Sequence, residues 1–184
     1  MQSLTRILPF ARQLLERVVT LDDVVVDATA GNGHDTIFLA GLAKHVHSFD
    51  IQKQAISSTR LKVSEGEISN VTLHHTGHEN VLQFVQGPLG AAIFNLGYLP
   101  GSDESVTTHG PTTWKAITDI LSILKKNGVA IVVVYHGHEN GKVERHYLEE
   151  RISQLDGRTF QVLKYQFANR PASPYILAVE RLFE

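Results

Sequence analysis

The stretch Val24 to Ala40, VVVDATAGNGHDTIFLA, decides how the rest of the chain is read. A β-branched apolar run ends in the carboxylate of Asp27, passes through Gly31 and Gly33, and opens into a helical pattern near Gly33. Glycines let the backbone turn tightly and come close to a ligand, and the helix behind them offers free N–H groups. A second apolar run then ends in Asp50, whose carboxylate can accept hydrogen bonds from ribose hydroxyls. Alone, each feature reads equally well as a tight turn or a helix cap. Together they describe a nucleotide-like ligand held at the end of a parallel sheet.

Working outward, short apolar runs alternate with longer helical patterns, which is the rhythm of an α/β fold. Strands are predicted at Val24 to Ala28, Val46 to Asp50, Val71 to His75, Ala91 to Asn95, Val129 to Tyr135, Phe160 to Phe167 and Ile176 to Arg181. Helices are predicted near Gly33, Gln52, Glu79, Thr112 and Gly141. A further helix over about residues 3–20 carries Leu4, Ile7, Leu8, Ala11, Leu14, Leu15 and Val18 on one face, so it should pack on the sheet. The uniformly apolar Val129 to Val134 reads as a central strand covered on both faces. Only the turn Asn169 to Pro174 joins the last two strands, which makes the last strand antiparallel. The expectation is one α/β domain over residues 1–184: a seven-stranded, mostly parallel sheet with an antiparallel last strand and helices on both faces.

Composition narrows the chemistry. The absence of cysteine excludes disulfides, thiolate metal sites and cysteine nucleophiles, and fits a reducing cytoplasm. No apolar run approaches the ~18 residues of a membrane helix, so no membrane partner is expected. With 17 basic against 19 acidic residues there is no basic tail or excess. Any nucleic-acid contact must therefore come from local geometry.

The ligand can be narrowed further. A dinucleotide fingerprint needs a third small residue, yet Gly31-Asn32-Gly33-His34-Asp35-Thr36 ends in Thr36. A carboxylate at position 27 would also repel a pyrophosphate, whereas it suits the amino group of a zwitterion. S-adenosylmethionine is the better match. At the fourth strand's end, Asn95-Leu96-Gly97-Tyr98-Leu99-Pro100 places an amide and an aromatic at the sheet edge where such folds bind ligands. Asn95 can accept a hydrogen bond from an amine without protonating it, and Tyr98 can stack on a planar base. The arrangement resembles the Asn-Pro-Pro-Tyr motif of amino methyltransferases, with Leu96 and Gly97 in place of the prolines. In the bland reading Asn95 caps a loop and Tyr98 fills core.

Val24 to Ala40, Phe94 to Gly101 with Thr107-Thr108 and Thr112-Thr113, Tyr135-His136-Gly137-His138 before Gly141-Lys142, and the Asn169 to Pro174 turn together resemble a small bacterial family known as rRNA methylases. The resemblance implies a Rossmann-like class I S-adenosylmethionine-dependent methyltransferase. It also implies a tRNA substrate, since some members are tRNA 5-(aminomethyl)-2-thiouridylate methyltransferases acting at the wobble uridine. It implies a cofactor set of Asp27, Ala28, Thr29, Gly31, Asn32, Gly33, Asp35 and Thr36 around the methionine part, and Asp50, Ile51 and Gln52 along the adenosine. Gly77, His78 and Glu79 would border the adenine. Asn95, Leu96, Gly97, Tyr98 and Pro100 would form the methyl-transfer edge, and Asn169, Arg170 and Pro174 the turn closing over substrate.

His136, predicted at the tip of the fifth strand, could line the substrate pocket or accept a proton, or be a hydrogen-bonded loop residue. Tyr98, His136 or water would receive the amine proton. Lys142, Arg145 and Arg170 are the candidate cations for the anticodon region of tRNA, and a dimer would widen that surface. The pairs His45 and His47 and His136 and His138, and the group His74, His75 and His78, have spacings that permit metal ligation, but each lacks an evident further ligand nearby, so no metal is expected. Methylation of rRNA, a small amine or a protein, and cofactor binding without catalysis, are the alternatives.

Overall fold

The computed structural model describes residues 4–96, 110–135 and 139–183. Helix α1 runs over Ile7–Val18 with Ile7, Ala11 and Leu15 buried, the stripe that four-residue spacing dictates. Pro9 is tolerated because it falls in the first turn, where backbone N–H groups have no helical partner. The helix is shorter than residues 3–20 at its far end because Thr20 turns back, its amide and hydroxyl both donating to Asp23 Oδ2.

Seven strands form one sheet: β1 Val24–Asp27, β2 His45–Asp50, β3 Val71–His75, β4 Leu89–Leu96, β5 Leu124–Val134, β6 Phe160–Tyr165 and β7 Tyr175–Arg181. Their order is β3-β2-β1-β4-β5-β7-β6. Only β7 runs against its neighbours, inserted between β5 and β6. The regular β4–β5 ladder begins at Ala91 opposite Val129, after an irregularity that lets Leu124 pair with Leu89.

Helices α2 His34–Ala40, α3 Lys53–Glu65, α4 Gly110–Ile123 and α5 Glu139–Ser153 fill the crossovers. The helix expected near Glu79 is a 3-10 helix over His78–Gln83. Few residues separate β3 from β4, and Gly87-Pro88 ends the segment before a longer helix can grow. Two apolar clusters sandwich the sheet. One gathers Phe49, Val81, Phe94, Ile117, Ile120, Val132 and Leu148 beneath α4, α5 and the 3-10 helix. The other gathers Ala11, Leu15, Val25, Leu39, Val46, Ile93 and Ile131 beneath α1 and α2. No helix among the described residues is long and apolar enough to cross a membrane.

Because β1, β2, β4 and β5 are parallel, their C-terminal tips share one edge, and a ligand of an open α/β sheet binds there. The antiparallel pairing of β6 and β7 brings the 166–174 turn to this edge, since Tyr175 lies opposite Val134.

Candidate active site

The turn after β1 is stitched to both neighbouring strands. The Ala28 amide donates to the Ile93 carbonyl on β4, and the Ala30 amide to Phe49 on β2. Gly31 and Gly33 take φ of 52° and 80°, in the left-handed region that favours glycine. Gly33 is constrained twice, since a Cβ there would lie 2.9 Å from the Thr59 hydroxyl and 3.1 Å from its Cα. The Thr59 hydroxyl also donates to the Gly31 carbonyl at 3.3 Å, tying α3 to the turn.

Asp27 is fully buried. Its Oδ1 accepts the Thr29 amide at 3.1 Å, and its Oδ2 accepts the Thr36 hydroxyl at 2.6 Å. Thr36 is 2.8 Å from the Ser48 hydroxyl, so a buried hydroxyl chain runs from β2 to the carboxyl. This gives the residue that spoils the dinucleotide fingerprint a role: Thr36 holds Asp27. Burial, then the charge of Asp35 and to a lesser degree that of Asp50, push the Asp27 carboxyl up to about 7, against its two hydrogen bonds.

Asp50 sits differently. Its Oδ2 accepts the Gly31 amide and its Oδ1 the Gln52 amide, each at 2.9 Å. Each oxygen keeps a further lone pair with which to meet a hydroxyl. Ile51 beside it is 55% exposed, an apolar surface open to a flat ring. His78 is buried, with Nδ1 3.0 Å from the Ala28 carbonyl and its ring edge-on to Phe94. The acceptor there requires Nδ1 to carry the proton. The Glu79 carboxylate occupies the space that a side chain at Gly77 would fill, so Gly77, His78 and Glu79 make a compact corner.

Asn95 is held at two atoms: its backbone amide donates to Thr29 Oγ1 at 2.7 Å, and Nδ2 donates to Asp35 Oδ2 at 2.8 Å. The structure thus brings together Asp27, Ala28, Thr29, Gly31, Asp35, Thr36, Asp50 and Asn95. Asn32 is half-buried in the same turn, and Leu96 is buried at the end of β4.

Two residues at this edge had escaped the sequence reading. Arg12 on α1 pairs with Asp35, with Nη2 3.0 Å from Oδ1. Tyr135, following β5, has its phenol pushed above its ordinary value by burial and then by the Asp35 charge, so it keeps its proton at neutral pH. Nothing in the chain's spacing links residues 12 and 35. Tyr135 stands in the sequence as the end of a strand and the start of the Tyr135-His136-Gly137-His138 motif, neither of which gives it a role of its own.

Other candidates lie apart. Asn169 and Arg170 are exposed on the turn between β6 and β7, with the Arg170 guanidinium 5.9 Å from the Phe167 ring centre. Pro174 precedes β7 on the same turn. Arg145 is bonded to Glu149 one helical turn on, and its guanidinium lies 5.8 Å from the Tyr175 ring centre. Burial alone would raise the Glu149 carboxyl, but Lys164, with Tyr175 and Arg145, holds it below its ordinary value. Gly97, Tyr98, Pro100 and His136 lie outside the described residues, as does the side chain of Lys142.

Of the histidines that invited a metal, His45, His47 and His74 form an aromatic cluster, His75 lies against the Ile51 carbonyl and His78 against the Ala28 carbonyl, and His136 and His138 lie outside the described residues. His47 Nδ1 is 2.9 Å from His74 Nε2, and His74 packs on Phe49 and Phe84. Burial, followed by the neighbouring histidines, pushes His47 down to about 4. No group of three or more metal-ligating side chains is arranged to hold an ion among the described residues.

Comparison with known proteins agrees with this geometry. A family model described as "Putative rRNA methylase" matches residues 46–181. The "tRNA (mnm(5)s(2)U34)-methyltransferase, chloroplastic" of Arabidopsis thaliana is 34% identical over 183 residues; the match covers 91% of this chain and 66% of that protein, just under two thirds of its length. A "putative methyltransferase" from Streptococcus mutans, solved in complex with SAH, superposes with a TM-score of 0.92 at 38% identity, over 97% of this chain and 99% of its own. A "putative rRNA-methylase" from Clostridium thermocellum gives 0.95 at 34% identity, over 98% and 100%. The likeness runs from the glycine turn through the antiparallel end of the sheet, and at this extent it settles descent: the chain belongs to the rRNA methylase family.

Proposed function

We propose that the chain is an S-adenosyl-L-methionine-dependent methyltransferase acting on RNA, and that its acceptor is the aminomethyl nitrogen of a 5-aminomethyl-(2-thio)uridine at the tRNA wobble position. One observation carries the reading: three acidic side chains, Asp27, Asp35 and Asp50, surround a left-handed glycine turn that is bonded directly to Asn95. Such a pocket disfavours a pyrophosphate and suits a ligand carrying a sulfonium and an ammonium group. The Arabidopsis relative's printed activity supports the nucleoside, and the SAH complex of the Streptococcus relative supports the cofactor.

The cofactor supplies an electrophilic methyl group. The remaining work falls to the chain's own residues. Asp50 would accept from the ribose hydroxyls, Ile51 and the His78 corner would flank the adenine, and the Asp27 and Asp35 carboxyls would lie toward the cationic amino-acid end. Asn95 orients the neutral acceptor amine in line with the methyl group. With the cofactor bound, the nitrogen–carbon bond would form as the carbon–sulfur bond breaks, sulfur would keep the electron pair, and the amine proton would pass to water or a side chain. Alignment and desolvation lower the barrier without a covalent intermediate. Tyr135, protonated at neutral pH, acts as a hydrogen-bond donor rather than a base. Arg170, exposed at the rim, meets a flanking phosphate while the target base is unstacked from the anticodon loop.

The test uses tRNA from cells lacking this protein, incubated with purified chain and S-adenosyl-L-methionine and analysed by nucleoside mass spectrometry. Conversion of accumulated aminomethyl nucleoside to its methylated form is expected. Methylation of rRNA or a small amine, with that tRNA untouched, would replace the tRNA assignment.

A further inference from the structure

We infer that Arg12, on the N-terminal helix, is a positioning residue for methyl transfer: through Asp35 it decides which end of the Asn95 amide meets the acceptor. The inference rests on the reading above, in which Asn95 orients an amine. The two ends of an amide differ chemically, since NH2 only donates and the carbonyl only accepts. The Asp35 carboxylate, 2.8 Å away, can only accept, so it must face the NH2 end. The Asn95 carbonyl is thereby turned away from Asp35 and left to accept from a substrate N–H.

Asp35 is itself held from outside the sheet. Its Oδ1 receives a forked pair from Arg12, Nη2 at 3.0 Å and Nε at 3.4 Å. The guanidinium is braced 4.9 Å from the Phe38 ring centre, and its helix is anchored by the buried neighbours Ala11 and Leu15. The Arg12 side chain is 42% exposed against 17% for Asp35, so the pair's value as a simple surface ion pair is small. Its geometry matters more, because the fork fixes one carboxylate oxygen and so aims the other. Because Thr29 holds the Asn95 backbone amide, side-chain rotation is the freedom that remains, and the Arg12–Asp35 pair removes it. Without Arg12 the carboxylate is free to turn away from Asn95, the amide loses its fixed partner, and either of its ends can then face the acceptor.

Arg12→Ala, Arg12→Lys and Asp35→Asn are compared in the full chain with two readouts. The first is the side-chain 1H–15N pair of Asn95, assigned by its loss in Asn95→Asp. It should be shifted and slow to exchange in the unmodified protein, should move part of the way in Arg12→Lys, which keeps the charge but loses the fork, and should move to the free-amide position in Arg12→Ala and Asp35→Asn. The second is single-turnover methyl transfer to whichever RNA the unmodified protein methylates. Arg12→Ala should be roughly ten- to a hundredfold slower, the scale of a small misplacement at the reacting centre. Its affinity for S-adenosylhomocysteine should fall by much less than its rate, because Asp27 and Asp50 keep their own partners, and added guanidinium should restore rate to Arg12→Ala but not to Asp35→Asn. An unmoved Asn95 signal, or an Arg12→Ala rate within about twofold of the unmodified protein, overturns the inference. If the unmodified protein methylates no RNA, the functional reading falls and the Asn95 signal alone decides the relay. Should Arg12→Ala fail to fold, Arg12→Gln, which keeps the aliphatic stem beside Phe38 and loses the fork, replaces it.

Discussion

The two halves of the sheet's carboxyl edge are built on opposite plans. On the β1–β2 side every acid is tied down: Asp27 by an amide and a buried hydroxyl, Asp50 by two backbone amides. On the β6–β7 side Asn169 and Arg170 stand exposed on a turn closed by the Arg170 amide on the Phe167 carbonyl and the Ser173 amide on the Arg170 carbonyl. The tied half presents fixed charges and suits a ligand of constant chemistry. The exposed half presents side chains free to meet a partner whose flanking groups vary. Asn95 belongs to the tied half but faces the seam between the two.

The tied half can be broken through its proton balance. Asp27 ionises near the ordinary carboxylate value of 3.8 when unfolded and at about 7 when folded, so folding favours its protonated form. Its contribution to stability is full below about pH 4 and is lost as the pH rises through about 7, amounting to about 4 kcal/mol of linkage. Thermal melts across this window should show the unliganded chain losing stability with rising pH relative to Asp27→Asn. That variant keeps an acceptor for the Thr29 amide and can donate to Thr36. Parallel curves for the two proteins would show that Asp27 is ionised throughout.

At the seam, Asn95→Ala should slow single-turnover methyl transfer roughly a hundredfold, while S-adenosylhomocysteine affinity by calorimetry stays within about threefold. A selective loss of cofactor affinity would move Asn95 wholly into the tied half. Asp50→Ala should weaken S-adenosyl-L-methionine binding by about 1–3 kcal/mol, the scale for polar groups left unpaired. Saturable NADH binding without a response to S-adenosyl-L-methionine would contradict the ligand itself.

The smallest effect is expected in the exposed half. Arg170→Ala should reduce the slope of log affinity against log salt for tRNA by about 1, while cofactor affinity stays unchanged. Arg145→Ala makes the sharper contrast. Because Arg145 is engaged by Glu149 and Tyr175, its loss should lower melting temperature more than RNA affinity.

Legibility followed sequence distance. The strand, glycine turn and helix of residues 24–40 could be read directly, because positive φ at Gly31 and Gly33 and alternation along a strand are local demands on the backbone. The antiparallel β7 followed from a connection too short for a crossover helix. The helix expected near Glu79 came out as a 3-10 turn, because the room between β3 and β4, rather than periodicity, set its length.

By itself, then, the sequence determined that Asp27, Asp50 and Asn95 stand at or next to the ends of strands, since element boundaries are written in local apolar periodicity and turn chemistry. Tertiary structure alone decided what those tips touch. Thr36 reaching Asp27, Asp35 reaching Asn95 across 60 positions, and Arg12 closing on Asp35 from another helix are hydrogen bonds between distant segments. They form because the packing of α1 and α2 against one face of the sheet brings their polar ends to the edge that the parallel strands share.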